Sequence, residues 1–228
     1  MSASHSSSTH LTQKLKIWDL PTRLFHWSMV LLLAALWWSA EVGEMQWHQI
    51  FAYSLMVLIL FRLLWGFIGS DTARFSHFVK SPAQVLAYIR QPKSVVIGHN
   101  PLGGYMVVTM ILVLLLQLVT GLFATDEVFT EGPLYSYVSE SVSGTLTWLH
   151  KMNFNLLLVL IALHILAVIS HVVKGDKLVG AMITGHKRVA ADLSPQLRFS
   201  SNLLALLLVG VLAGLAVNYL ILPLTAML

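Results

Sequence analysis

The sequence predicts an all-α integral membrane protein, a helical bundle with five transmembrane helices. Hydrophobic residues make up 57% of the 228 residues, whereas charged residues make up only 11%. A soluble domain carries about a quarter charged residues, because water must solvate most of its surface. The apolar residues are also grouped into long runs, which is the pattern of membrane spans. A water-soluble enzyme is therefore not expected.

Five apolar runs are each long enough to cross about 30 Å of hydrocarbon at about 1.5 Å per residue. In chain order they cover residues 24–40, 46–68, 105–124, 148–173 and 203–228. The first run is the shortest, and aromatic residues flank both of its ends, as expected for anchors at the membrane interface. The segment before it, residues 1–16, begins with a stretch rich in Ser and Thr and is predicted to be a disordered cytoplasmic tail.

Basic residues concentrate on one side of the predicted bundle. Of the 14 Lys and Arg residues, all except Lys151 lie before the first span, at or after the end of the second, or between the fourth and fifth. The positive-inside rule makes this side cytoplasmic, with the N-terminus inside and the C-terminus outside. The formal charge of +4 therefore reports orientation in the membrane, and no nucleic-acid partner is predicted.

Acidic residues collect on the opposite side, mainly in the loops after the first and third spans. They are Glu41, Glu44, Asp126, Glu127, Glu131 and Glu140. Such an acidic rim either solvates the outer loops or attracts a basic redox partner by long-range electrostatics.

The chain contains no cysteine. This excludes disulfides, thiolate zinc sites, Cys-ligated iron–sulfur clusters and covalent haem attachment through a Cys-x-x-Cys-His motif. The ten histidines are then the abundant candidates for transition-metal ligands.

Histidine inside a membrane is costly, and it usually binds a cofactor, relays protons or bonds to a neighbouring helix. Five histidines fall in or at the ends of the spans, namely His26, His48, His150, His164 and His171. Because successive helices alternate in direction, His26 lies near the inner face, and His48 and His150 lie near the outer face. His164 follows His150 on the same span, about 21 Å deeper and only about 40° around the helix.

This spacing predicts two stacked bis-histidine metal sites, with His26 paired with His164 and His48 paired with His150. Two opposed imidazoles suit the axial positions of a haem, whereas zinc and copper sites usually add thiolates, carboxylates or further histidines. His171 is the reserve for His164, since it lies on the same face about 10 Å further inward.

A haem-free transporter or membrane anchor, in which the histidines relay protons or brace helices, is the alternative of a different class. A proton-coupled transporter is expected to carry acidic residues at membrane depth. No Asp or Glu lies within the cores of the predicted spans.

Arg62 adds a further candidate contact to the inner site. It follows His48 by four helical turns on a similar face, so it lies in the inner layer. There it could neutralise a haem propionate, or it could snorkel to the inner interface.

The combination of four segments resembles the bacterial di-haem cytochromes of the cytochrome b-561 group, which include the b-type subunit of nickel–iron hydrogenases. The segments are WDLPTRLFHW, FRLLWGFIGSDTARFSHF, GHNPLGG and the His150 and His164 pair, within residues 17–175. The resemblance implies a four-helix core with two non-covalent b haems on His26, His48, His150 and His164.

The resemblance also implies function and location. It implies electron transfer in the bacterial inner membrane between the quinone pool and a periplasmic partner, either a c-type cytochrome or a hydrogenase-like enzyme. A stand-alone superoxide or quinol oxidoreductase is the alternative.

Residues 176–200 are predicted to form a cytoplasmic linker, and residues 201–228 a fifth transmembrane helix that departs from the four-helix pattern. Gly210 and Gly214 on this helix have a spacing that allows close contact in the lipid with a second copy or a partner subunit.

A quinone site needs an apolar slot with a hydrogen-bonding group at its head. The sequence offers candidates on both sides of the membrane and does not choose between them. They are Arg74, His77, His99 and His171 on the inner side, and Tyr135, Asn153 and Asn155 on the outer side.

Overall fold

A computed structural model describes residues 12–91, 98–128, 130–190 and 195–226. Within these residues, five helices are long and apolar enough to cross a membrane. They are α1 (Leu20–Glu41), α2 (Met45–Ile68), α5 (Pro101–Gly121), α6 (Glu140–Val173) and the C-terminal helix Asn202–Ala226. The predicted all-α membrane bundle is confirmed.

Shorter elements connect these spans. Between α2 and α5 lie a 3-10 turn (Asp71–Ala73), α3 (Phe75–Phe78) and α4 (Pro82–Arg90). A 3-10 turn (Tyr135–Tyr137) precedes α6, and α7 (Leu178–Thr184) follows it.

Two of the spans begin at side-chain caps that the sequence motifs contain. The Asp19 carboxylate accepts a hydrogen bond from the Thr22 backbone N–H at 2.8 Å, and Pro21 lies in the first turn of α1. The Asn100 side chain accepts one from the Gly103 N–H at 2.7 Å at the start of α5. These caps satisfy backbone donors that the first helical turn leaves free.

Helix α6 is longer than the apolar run from residue 148 predicts. It begins at Glu140, after the N-cap Ser139, and contains 34 residues. At about 1.5 Å per residue it is about 51 Å long, so it extends well beyond the hydrocarbon. The polar first turns of α6 carry no apolar signal, so hydropathy marks only the later part of this helix.

The C-terminal helix is not a regular α-helix throughout. It consists of α8 (Asn202–Ala216), a π-helical segment (Val217–Ile221) and α9 (Leu222–Ala226). Pro223 has no N–H for the carbonyl four residues earlier, which disrupts regular helical bonding at this point. Residues 227 and 228, the end of the predicted span, lie outside the described residues.

The prediction of a disordered tail over residues 1–16 is wrong for its last five residues. Thr12–Lys16 form strand β1, which pairs antiparallel with β2 (His186–Ala190), with Thr12 opposite Ala190. Such pairing between distant segments leaves no local signal, since β1 is short and mostly polar. Residues 1–11 lie outside the described residues, as do 191–194 of the predicted linker.

The four spans of the predicted core pack as two helix pairs. Helix α1 packs against α2, α5 packs against α6, and the two pairs meet through α2 and α5. The fifth span packs mainly on α2 through α8. The apolar core includes Leu55, Ile59 and Trp65 of α2 and Leu114 of α5. Each helix pair thus contributes one histidine to each end of the bundle: the first pair has His26 on α1 and His48 on α2, and the second has His150 and His164 on α6.

Candidate functional site

The bundle has two ends that differ in charge. We call the end with the loops 42–44 and 122–139 the acidic end, and the end with the β-sheet, α3, α4 and α7 the basic end. His48 and His150 lie at the acidic end, and their ring centres are 6.4 Å apart with the ring planes at 76°. The structure therefore brings together one histidine from each helix pair.

Both of these histidines are oriented in the same way by the neighbouring helix. The Nδ1 of His48 lies 3.0 Å from the Leu36 carbonyl oxygen, and the Nδ1 of His150 lies 2.9 Å from the Gln117 carbonyl oxygen. A carbonyl oxygen only accepts, so Nδ1 carries the hydrogen in each ring. The Nε2 lone pair of each ring is left available to a metal.

A hydroxyl three residues after each carbonyl completes the arrangement. Ser39 Oγ lies 3.4 Å from the Nδ1 of His48, and Thr120 Oγ1 lies 3.2 Å from that of His150. Ser39 and Thr120 are fully buried. The two helix pairs therefore hold their histidines with a repeated carbonyl-and-hydroxyl pattern, which sequence reasoning missed.

The support of His150 extends one turn further into the membrane. The Asn153 side-chain N–H₂ donates to the Val113 carbonyl at 3.0 Å and to the Gln117 side-chain oxygen at 2.6 Å. Gly121 makes room for the ring, because a Cβ there would lie 3.0 Å from the His150 Cε1. Asn153 is buried and its side-chain N–H₂ braces α5, whereas its Oδ1 has no hydrogen-bond partner among the described residues.

The basic end gathers His26, His164, Arg62 and His99. His99 lies outside the spans, with its ring 4.7 Å from Trp18 and 4.8 Å from Phe78 between ring centres. Burial and, to a smaller extent, the charges of Arg62, His164 and His26 together lower the pKa of His99 to about 3. His99 is therefore neutral and close to the other three residues, a position that its loop sequence does not reveal.

Polar atoms at this end lack partners among the described residues. They include the Nδ1 of His26, the Nδ1 of His99 and one terminal nitrogen (Nη1) of Arg62, all of them buried. Because a buried unpaired donor or acceptor costs about 1–3 kcal/mol, such atoms mark a place where a polar group fits.

Arg62 is held inside the protein and does not reach solvent. Its side chain is 2% exposed, and its guanidinium lies 5.1 Å from the Phe75 ring centre and 5.8 Å from that of Phe78. One helical turn away, the Trp65 indole N–H donates to Asp19 at 2.9 Å. This hydrogen bond joins the start of α1 to the end of α2 at the basic end.

His171 differs from His164 in having polar partners. Its Nε2 lies 3.4 Å from the Asn100 side-chain nitrogen, and its Nδ1 lies 3.7 Å from the Asp176 carboxylate. In the described part of the chain, the ring of His164 has no hydrogen-bond partner. His164 is therefore the freer of the two imidazoles.

The remaining quinone candidates lie at the surface or are committed elsewhere. Arg74 donates to the Gly69 carbonyl at 2.8 Å, and the His77 ring lies 3.9 Å from Asp71. Asn155 is exposed, and Tyr135 is in the 3-10 turn before α6.

Metal sites built from three or more His, Cys, Asp or Glu side chains do not occur among the described residues. The acidic end instead offers two opposed imidazoles, which is the ligand number that a haem iron takes from the protein.

A family model described as prokaryotic cytochrome b561 matches residues 17–185. The chain belongs to the prokaryotic cytochrome b561 family. Membership makes it a multi-pass membrane b-type cytochrome that binds haem and works in electron transfer. Neither the curated proteins nor the solved structures include a match. The family match ends ahead of the C-terminal helix, which starts at Asn202.

Proposed function

We propose that this cytochrome b561 relays electrons through two b haems between the quinone pool and a redox partner outside the cytoplasm. The observation that carries the proposal is the 6.4 Å separation of the His48 and His150 ring centres. A metal held about 2 Å from one nitrogen of each ring requires ring centres roughly 6 Å apart. These two residues would therefore be able to hold one haem iron between them.

At the acidic end, the protein keeps both ligands neutral and turned towards each other. The carbonyls of Leu36 and Gln117 hold the Nδ1 hydrogens, so each Nε2 can face the iron. When bound, each haem supplies a one-electron redox centre. With two histidines holding each iron, the chain would leave no open position there for oxygen or peroxide.

At the basic end, we propose that His26 and His164 hold the second haem and that Arg62 binds one of its propionates. Arg62 is buried and has a terminal nitrogen without a hydrogen-bond partner among the described residues. A carboxylate would supply both the missing acceptor and the opposite charge. His171 instead contacts Asn100 and Asp176.

The charge distribution supports an orientation for the relay. We propose that the basic end is cytoplasmic and the acidic end periplasmic, in the bacterial inner membrane. The acidic rim there would attract a positively charged partner surface, such as that of a c-type cytochrome, or a hydrogenase-like enzyme would dock on it.

The C-terminal helix offers a contact face for a second copy of the chain. A Cβ at Gly210 or Gly214 would meet no heavy atom within 4 Å, so both positions lie open towards the lipid. Small residues at this spacing allow two helices to approach closely. We propose that two copies of the chain form a homodimer through this face.

Reduction of the haems by quinol in proteoliposomes tests the proposed function. Oxidation of a quinol releases two electrons and two protons, so a short-chain ubiquinol should reduce both haems and, through them, ferricyanide kept on the opposite side. His48→Ala should interrupt this transfer while the basic-end haem remains bound. If quinol left both haems oxidised in the wild type, the proposed function would be wrong.

A further inference from the structure

A cavity of about 170 Å³ lies between α2 and the C-terminal helix. Val57 of α2 and Ala213, Ala216 and Ile221 of the C-terminal helix provide most of its apolar lining. The volume is close to that of cavities of about 150 Å³ that hold one benzene ring. The cavity is therefore suited to one six-membered ring.

Tyr53 provides the polar group at this cavity. Its side chain is 4% exposed and lines the cavity, and its hydroxyl has no hydrogen-bond partner among the described residues. The neighbouring Ser54 hydroxyl already donates to the Ile50 carbonyl at 2.9 Å. A buried phenol normally finds a partner, so the Tyr53 hydroxyl is a free donor for a ligand.

The π-helical segment Val217–Ile221 contributes to the cavity wall. Such segments often occur at functional sites, because the wider turn displaces side chains from the regular helical positions. Here the Asn218 side chain donates to the Gly214 carbonyl at 2.8 Å, which satisfies a backbone acceptor at the irregularity. The widened turn and the small Ala213 and Ala216 side chains together leave the space next to Tyr53.

We propose that this cavity binds the ring of a membrane quinone, with the Tyr53 hydroxyl donating to one quinone carbonyl. The cavity lies at membrane depth, where the available ring-bearing acceptors are lipid-soluble. Tyr53 is about 7.5 Å further along α2 than His48 and about 140° around it, so the ring would lie on the side of α2 away from the histidines. The cavity is thus a holding site for quinone, and the C-terminal helix has the role of forming one wall of it. The inference rests on the proposed function only in the choice of quinone as the ligand.

Binding of decylubiquinone to the purified protein in detergent, measured by calorimetry, tests the proposal. The wild type should bind one quinone here, and Tyr53→Phe should weaken binding by about fivefold, as expected for one lost hydrogen bond. Ala216→Leu should abolish binding at this cavity by filling it. Tyr219→Phe and Ala226→Leu, at exposed positions of the same helix, are the matched controls and should bind as the wild type does.

The same samples separate this inference from the proposed function. Haem spectra report the redox centres, and quinone turnover should be unchanged in the control variant Tyr219→Phe, whose side chain is exposed. The inference is overturned if the wild type binds no quinone while its haems are present, or if Tyr53→Phe binds as tightly as the wild type. It is also overturned if Ala216→Leu keeps its quinone affinity but loses bound phospholipid, because the cavity would then be a lipid site. Loss of the haems alone would overturn the proposed function and leave the binding result standing.

Discussion

Histidine orientation at the acidic end depends on backbone atoms of the adjacent helix. Leu36 and Gln117 supply the carbonyls, and each is followed three residues later by a hydroxyl that faces the same ring nitrogen. The carbonyls are part of regular helices, so their positions are fixed by the helix and not by a mobile side chain. This rigidity is what a ligand needs if the ring is to keep one orientation in both redox states.

Substitution of the ligands should remove one haem at a time. His48→Ala or His150→Ala should lose the acidic-end haem and keep the other, and His26→Ala or His164→Ala should do the reverse. Pyridine haemochrome assays of each variant measure this as a fall from two haems to one. His171→Ala is the control and should keep both; if it lost a haem while His164→Ala did not, the pairing at the basic end would be wrong.

The neutral state of His99 predicts a pH dependence of stability. Its pKa in the folded protein is about 3, whereas that of an ordinary histidine is 6.5. As pH falls below about 6.5, the unfolded chain binds a proton that the folded chain excludes, so folding should lose up to about 1.4 kcal/mol per pH unit until about pH 3. The groups that oppose protonation are Arg62, His164 and His26.

Thermal unfolding in detergent at pH 7.5 and pH 5 measures this effect. His99→Phe keeps aromatic contact with Trp18 and Phe78 and should reduce the loss of stability on acidification. The matched variant His77→Phe, at a side chain 49% exposed, should keep the wild-type dependence. Equal pH dependence in wild type and His99→Phe would show that His99 is not the titrating group.

At the scale of elements, helix caps and close helix contacts fix the site. Asp19 caps α1 and also accepts from the Trp65 indole of α2, so one side chain sets the entry of the first span and ties it to the second. Gly121, the last residue of α5, allows α6 to bring His150 near. The roles of Asp19 and Gly121 depend on contacts with residues of another helix, so they are recognised only once those contacts are known.

Asp19→Ala should destabilise the protein by about 2–4 kcal/mol, the sum of a lost helix cap and a buried indole N–H left without an acceptor. Glu44→Ala is the control, because Glu44 is the N-cap of α2 but makes no side-chain cap bond. It should change stability by less than about 0.5 kcal/mol. Similar melting temperatures for the two variants would contradict the role given to Asp19.

Gly121→Ala should disturb the acidic-end haem alone. The new Cβ would lie 3.0 Å from Cε1 and 3.3 Å from Nδ1 of His150, so the ring must move by a few tenths of an ångström. We expect about tenfold weaker haem retention at that end, as for other changes behind a metal ligand. Gly144→Ala, where a Cβ meets nothing within 4 Å, should leave both haems unchanged.

The sequence alone was sufficient to predict the spans and the division of the histidines between two ends. Hydropathy defines the spans because lipid excludes charge. The rise per residue of an α-helix gives the difference in depth between His150 and His164. The sequence was not sufficient for features that distant partners create. The strand Thr12–Lys16, the enclosure of His99 by Trp18 and Phe78, and the carbonyls behind His48 and His150 all depend on packing between separate segments. Assignment of the four histidines as haem ligands stays a prediction.

At the scale of the whole molecule, charge asymmetry predicts how the protein lies in the membrane. The chain has no native cysteine, so single cysteines can be placed and labelled without background. Glu131→Cys at the acidic end should react with a membrane-impermeant maleimide in spheroplasts, whereas Lys174→Cys at the basic end should react only after lysis. The reverse labelling pattern would show the opposite orientation, and the proposed redox partner would then bind on the other side of the membrane.

The number of haems per chain tests the proposed two-haem relay most directly. The protein should be purified in mild detergent, its haem b quantified against polypeptide concentration, and oxidised and reduced spectra recorded. We expect two low-spin b haems per chain. Absence of haem, or a single haem whose retention did not depend on either histidine of the acidic end, would contradict the two-site relay.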